Sequence, residues 1–295
     1  MATLRDIKRR IKAVKNTSQI TKAMKMVAAA KLRKAQGRML ELRPYSDKIY
    51  EVLGNLGMAA SADAHPLLMK RPRKAVQLLV LTSDRGLCGA FNSNVLKAAA
   101  HFTRELNDEG VQVSISAVGR KARDYYKRRD IPLANSLTGI SGKADFKHAK
   151  QIAMDIISGY SGSMFDEVYI VYNEFKSVIA QQVKIVKLLP FEHEQKEKEK
   201  EAAEAPESHV SYIFEPSVEG LYLTLIPKAV EIRIFRALLE SQTSEEASRM
   251  TAMGNASQNA GEMIQRLTLV ANKVRQATIT RELMDIVGGV EAIKK

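Results

Sequence analysis

The stretch that decides the fold is Met250-TAMGNASQNAGEMIQRLTLVANK-Val274. Read at helical spacing, its apolar residues fall at Met250, Met253, Ala256 or Ser257, Ala260, Met263 or Ile264, Leu267, Val270 and Val274. The series extends back to Ile234 and Leu238 and forward to Ala277. Steps of three and four residues put these positions on one narrow face of an α-helix. No proline follows Pro227 and no aromatic follows Phe235, so nothing from Pro227 to about Val290 breaks the helix or adds bulk to it. A helix of roughly 60 residues, on the order of 90 Å at ~1.5 Å per residue, is too long for one compact domain. It must project or find a partner.

The other end of the chain supplies a match. Residues 2–43 contain no proline and no aromatic, and Ile7, Ile11, Val14, Thr17, Ile20, Met24, Val27 or Ala28, Leu32, Ala35, Met39 and Leu42 step by three and four. Thr3 with Asp6 reads as an N-terminal capping box. Neither helix can hide its seam alone, and each exposed apolar side chain forgoes roughly 1.5–3 kcal/mol of burial. Because the chain leaves and returns, the pairing is antiparallel, and Ala, Gly and Ser in Ala252–Gly261 allow close approach. Two helices folded back on the central core would use the same pattern. In the paired arrangement Met253, Leu267 and Val274 face the N-terminal helix, and Ile286–Lys295 extends beyond it as a single helix.

The middle of the chain alternates strand and helix. AVQLLVLT (75–82) is a buried strand entering a loop. A helix follows over Asn92–Leu106, a strand over Val111–Val118, a short charged helix over Arg120–Arg129 and a helix over Asp145–Ser158. Glu167–Asn173 and Gln182–Leu189 are strands close enough to form an antiparallel hairpin. This is the texture of an α/β domain with a mostly parallel sheet, Rossmann-like in class. Glu192–Glu207 is mixed-charge with almost no apolar bulk and reads as a mobile loop over 192–207. A short helix over Ser217–Leu225 then leads to Pro227, the first residue of the long helix. The fold class is therefore α/β, with a long antiparallel coiled coil of the two terminal helices. The parts are 1–58, the N-terminal helix; 59–208, the central α/β domain; and 209–295, a foot segment and the C-terminal helix.

Chemistry is sparse. A formal charge of +13 calls for an acidic partner, whether nucleic acid, anionic lipid or an acidic protein surface. Residues 1–43 carry thirteen Lys or Arg against Asp6 and Glu41. The single cysteine, Cys88, excludes an intrachain disulfide, and the five histidines are scattered without metal-ligand spacing. No apolar run approaches the ~20 residues a membrane span needs. The turn Gly86-Leu-Cys-Gly89 could cradle a phosphate on backbone N–H groups, but it has neither the GxxxxGK[ST] nor the GxGxxG spacing. No cofactor is expected. The basic helices leave a nucleic-acid-binding coiled-coil protein as an alternative, although no aromatic interleaves them for base stacking. An α/β enzyme using the Gly86–Gly89 loop is a further alternative.

Three blocks give the chain a resemblance. They are Ile11-x2-Val14-x-Asn16-Thr17-x2-Ile20-Thr21-Lys22-Ala23-Met24-x-Met26-Val27-Ala28-Ala29, then Ser83-Asp84-Arg85-Gly86-Leu87-Cys88-Gly89, and Ala271-Asn272-Lys273-x-Arg275-Gln276-Ala277-x-Ile279-Thr280-x-Glu282-Leu283-x-Asp285-Ile286-Val287-x-Gly289. Glu246-Ala247-x-Arg249-Met250-x-Ala252-Met253 links them. In order and spacing, over essentially the whole chain, these blocks resemble the γ subunits of rotary, F-type ATP synthases of the bacterial type. The resemblance implies a non-catalytic rotor shaft that couples proton-driven rotation of the c-ring to the cycling of catalytic β subunits. The implied partners are the α and β subunits, the ε subunit and the c-ring, with no nucleic acid. The implied place is the cytoplasmic face of the bacterial inner membrane, held peripherally with no span of its own. Carried across by position, Arg275 and Gln276 would contact an acidic loop of β. Met24, Arg249, Thr280 and Glu282 would serve coupling within and around the coiled coil. Tyr212, Phe214 and Glu215 would form the foot facing the c-ring and ε. The cysteine-bearing insertion of chloroplast relatives is lacking, so thiol control of that kind is not implied.

Overall fold

A computed structural model describes residues 3–59, 65–191 and 218–293. The expected mobile loop over 192–207 and the foot residues Tyr212, Phe214 and Glu215 lie outside the described residues. The described elements are α1 (Leu4–Ala59), a 3-10 turn (Pro66–Leu68), β1 (Ala75–Leu81), α2 (Phe91–Asp108), β2 (Gln112–Val118), α3 (Arg120–Lys127), β3 (Asn135–Leu137), α4 (Phe146–Ser161), β4 (Glu167–Phe175), β5 (Gln181–Leu189) and α5 (Val218–Ile293). They form two compact units. One comprises residues 1–29 and 249–295, the other residues 30–248.

In the first unit the two terminal helices pair along a seven-residue repeat, strict on α5 and shifted by one residue at Met24 on α1. On α1 the positions withdrawn from solvent are Leu4, Ile7, Ile11, Val14, Ser18, Thr21, Met24 and Ala28. On α5 they include Met250, Met253, Ser257, Ala260, Ile264, Leu267, Ala271 and Val274. Gly254 faces the Lys25 stem: a Cβ there would sit 3.7 Å from the Lys25 side chain, an ordinary contact. Twenty-one residues back along α1 from Lys25 is Leu4, and twenty-one forward along α5 from Gly254 is Arg275. That count explains why Val274 is the last residue withdrawn from solvent on α5 up to Val290. In an antiparallel pair, α1 has ended by then. The capping box at Thr3 forms as expected, with Asp6 N–H donating to Thr3 Oγ1 and Thr3 N–H to Asp6 Oδ2.

The seam differs from the sequence reading at two places. Ser18 and Thr21, not Thr17 and Ile20, face the partner helix, and Ile20 is 59% exposed. On α5, Ala271 lies in the seam and Val270 is 48% exposed. Small residues win because they let the backbones approach, whereas apolar bulk alone favoured Ile20 and Val270. A further correction concerns the tip. Arg275–Val290 is exposed throughout, so the single-helix portion begins eleven residues before Ile286.

In the second unit, β1 to β4 are parallel and β5 is antiparallel, in the order β3-β2-β1-β4-β5. This is the α/β sheet with a closing hairpin expected from the sequence. The strands alternate faces, as a pleated sheet requires. Leu78 and Val80 meet Val95, Leu96 and Ala99 of α2 and Ala122 and Tyr126 of α3. Leu79 and Leu81 face the other way, into a larger core with Ile152, Ile156 and Tyr160 of α4, Leu53 of α1 and Tyr222, Ile226, Val230 and Ile234 of α5.

One boundary is corrected here: α5 starts at Val218 and runs through Pro227 rather than starting there. α1 likewise runs through a proline, Pro44. An internal proline removes one bond to the carbonyl four residues earlier. Those carbonyls belong to Leu40 and Leu223, both on exposed faces, where water can take up the lost bond.

Candidate functional site

The sequence-flagged residues of the first unit fall into two groups. Arg275, Gln276, Thr280 and Glu282 lie on the exposed end of α5, while Met24 is half-buried in the seam between Thr21 and Ala28, and Arg249 is buried. A helix advances 100° per residue, so Arg275, Ile279, Glu282 and Ile286 share one face and Gln276, Thr280, Leu283 and Val287 a neighbouring one. Ile279, Leu283, Met284, Ile286, Val287 and Val290 are all exposed. These apolar residues share one side of the helix, less than half of its circumference, and an apolar side left open to water is suited to being covered by other chains. The structure thus brings the four tip residues together on two turns and leaves Met24 and Arg249 on the paired portion.

The SDRGLCG loop follows β1 at the end of the sheet where such folds often bind nucleotides. Here it is filled by its own side chains. Asp84 Oδ1 accepts from the N–H of Arg120 at 2.9 Å, where α3 begins, and from Gly139 N–H at 3.0 Å, while Oδ2 accepts from Ser141 N–H at 2.9 Å. Burial pushes the Asp84 carboxyl upward, but these three donors and the Arg120 charge outweigh it and leave the pKa below the ordinary aspartate value. A carboxylate therefore occupies the donors at the start of α3 that a phosphate would need. Asn92 Oδ1 accepts from Ser83 N–H at 2.9 Å, and Asn92 Nδ2 reaches Cys88 Sγ at 3.2 Å. Cys88 is buried in this network as a structural thiol. At Gly119, φ is +95° and a Cβ would meet the Thr82 carbonyl oxygen at 2.2 Å, so the loop closes on α3 only with glycine there.

Sequence reasoning missed a third group. Along α5, Glu240, Ser241, Thr243, Ser244, Glu245 and Glu246 are buried although the segment is strongly polar. Ser244 Oγ donates to the Asn173 carbonyl on β4 at 3.1 Å, and Ser141 Oγ donates to Glu245 Oε2 at 2.7 Å. Ser248 Oγ donates to Gln181 Oε1 on β5 at 2.8 Å. Arg236 Nε donates to Glu240 Oε1 at 2.9 Å, and Lys31 Nζ of α1 stands 3.9 Å from Glu246. Polar side chains on all sides of one helical turn are the available signal, since a solvated helix keeps at least one face greasy toward its support.

The ATP synthase family profile matches residues 3–293. The ATP synthase gamma chain of Pelotomaculum thermopropionicum is 46% identical over 294 residues, spanning both chains completely. This chain belongs to the ATP synthase gamma-chain family. The gamma chain of Trichlorobacter lovleyi is 47% identical over the same full extent. Among solved structures, the central stalk and c-ring of the Tetrahymena thermophila mitochondrial ATP synthase contains a chain 28% identical, with a TM-score of 0.58, covering 81% of this chain and 99% of that one. A chain of the Euglena gracilis mitochondrial enzyme aligns over 98% of this chain and 94% of its own, with a TM-score of 0.65, and at 22% identity it speaks to the fold alone. The gamma-chain family accounts for long terminal helices on a five-stranded α/β unit, and it lends nothing to the nucleic-acid alternative. Among the described residues, no helix is long and apolar enough to cross a membrane.

Proposed function

We propose that this chain is the central rotor shaft of an F-type ATP synthase, without a catalytic site of its own. Its family membership over the full length supports that reading, and the observation that carries it in the structure is the lone end of α5 beyond Val274. An antiparallel pair ending in a single asymmetric helix can stand inside a ring of subunits and present a different face to each. Rotation then changes which β subunit meets which face. Each orientation favours one β conformation over others, so turning the shaft drives nucleotide affinities through a cycle. Proton-driven rotation of the c-ring supplies the torque for synthesis, and hydrolysis runs the same coupling in reverse.

In this reading the α and β subunits enclose the first unit, and ε and the c-ring bind the remainder. The complex is held peripherally at the cytoplasmic face of the bacterial inner membrane. Arg275 offers a planar guanidinium to an acidic loop of β, and Gln276 adds a neutral hydrogen bond beside it. Thr280 and Glu282 act one and two turns further on, and Met24 and Arg249 hold the paired region that supports the tip. Tyr212, Phe214 and Glu215 serve the foot.

The experiment is Arg275→Ala in the fully assembled, purified complex. Arg275 has no role in the helix seam, so the subunit assembles normally while ATP turnover falls about tenfold, the loss of one charge-assisted contact worth ~1.5 kcal/mol. Normal turnover in a complex shown to contain all subunits refutes the assignment of Arg275. Failure of the chain to co-purify with α and β from native membranes refutes the shaft role itself.

A further inference from the structure

A cavity of about 500 Å³ opens between the sheet and α4, on the face opposite α2 and α3. Its size lies in the range of small-molecule sites. The reasons for it are local. β3 pairs only with Ser116–Val118, so the first half of β2 has no strand on its outer side. On α4, Gly159 carries no side chain, and the Phe165 ring lies where a Cβ would fall. The floor is polar where a central strand pair would ordinarily be apolar: Gln77, 4% exposed, donates through Nε2 to Ser116 Oγ at 2.5 Å, and Ser114 Oγ donates to Gln77 Oε1.

These bonds leave donor capacity on residues that line the space. Gln77 Nε2 carries a second N–H, and Ser116 Oγ, an acceptor in its bond to Gln77, still has a proton to donate. Neither has a partner among the described residues. Leu79, Ile152, Ile156 and Phe165 supply apolar walls. At the exposed mouth stands Asp155, whose Oδ2 is reached by Asn135 Nδ2 only at 3.4 Å. Among the described residues it is the sole charged one lining the cavity, and none of their lysines or arginines lines it. The space is therefore apolar in its middle, donor-rich at its floor and anionic at its mouth.

We propose that this cavity is a binding site for a small organic cation with an apolar body, an aromatic or branched aliphatic amine whose ammonium group pairs with Asp155. The body fills the space beside Leu79 and Phe165, and an acceptor on a larger ligand reaches Ser116 and Gln77. No residue of the SDRGLCG loop lines this site, and the site does not depend on the shaft role.

The test uses the full chain with isotope-labelled isoleucine and methionine methyls, titrated with benzylammonium, benzyl alcohol and benzoate. Saturable shifts are expected at Ile152, Ile156 and Met164. Because Asp155 is exposed, its pairing adds up to ~1 kcal/mol, so benzylammonium binds about fivefold more tightly than the alcohol and benzoate binds weakest. Asp155→Asn, a surface change that leaves the core intact, brings benzylammonium to the level of the alcohol and leaves the alcohol unchanged. Equal binding of all three probes overturns the proposal. So do shifts confined to methyls elsewhere, or an ammonium preference that survives Asp155→Asn.

Discussion

Replacing Asp84 with alanine removes one side chain and three bonds at once. Its two oxygens hold the start of α3 and both ends of the Gly139–Ser141 turn. A hydrogen bond contributes about 1 kcal/mol net, so three amount to roughly 3 kcal/mol, and partial solvent access at this half-buried site lowers that to ~2 kcal/mol. The assay is urea unfolding of the full chain followed by near-ultraviolet circular dichroism. Every aromatic of the described residues lies between Tyr45 and Phe235, so the signal reports on the unit comprising residues 30–248. With a slope of 2–3 kcal/mol per molar, the midpoint drops by about 0.7–1 M. The pH dependence carries a sign. The folded pKa of Asp84 lies below its ordinary value of 3.8, so its stabilisation is fully present above that value and is lost as pH falls through the folded pKa. The gap between wild type and Asp84→Ala is therefore constant from pH 5 to 8 and closes below about pH 4. A midpoint shift under ~0.2 M at neutral pH, or a gap that widens in acid, refutes the reading of this loop as an internal brace.

Two glycines offer opposite outcomes from one substitution. Gly119→Ala forces a Cβ to 2.2 Å from the Thr82 carbonyl at positive φ and should destabilise the α/β unit by ~3 kcal/mol or more, read by the same dichroism signal. Gly254→Ala places its Cβ at ordinary contact, 3.7 Å from the flexible end of Lys25. It should stabilise the paired helices by up to ~1 kcal/mol through helix propensity, seen as a higher melting midpoint at 222 nm. In the assembled complex, Arg275→Ala should lower turnover while Gly254→Ala leaves it near wild type, so that a tip contact is distinguished from a change in helix stability.

Most of the architecture was legible because two periods dominate the chain. The 3-4 stepping at both ends and the buried strands over 75–81, 112–118 and 167–175 have few other solutions. The phase of the seam was harder. Adjacent candidates such as Val270 and Ala271 differ by one residue, and the hydrophobicity that favours valine opposes the close approach that selects alanine. Pro227 misled because a proline whose freed carbonyl faces water need not end a helix held by tertiary packing. Ser241-Gln-Thr-Ser-Glu-Glu246 reads as a solvated surface, and only its partners on β4, β5 and the loop before α4 show it enclosed. The tip residues Arg275 and Gln276 were legible as a motif alone, since an exposed arginine on a long helix has no distinguishing physics until a partner is named. The cavity beside Asp155 could not be anticipated, because it depends on how short β3 is and on the space left at Gly159.

The enclosed polar turn of α5 has a mechanical consequence. A helix seated only in oily side chains is held against turning by their interdigitation alone, with no directional bond to fix its angle. Hydrogen bonds have direction. Ser244 to Asn173, Ser141 to Glu245 and Ser248 to Gln181 leave the helix on different bearings, so a twist that relaxes one stretches another. They work as splines cut into an axle, fixing this stretch of α5 against the strands and loop it crosses so that it does not turn within the α/β unit.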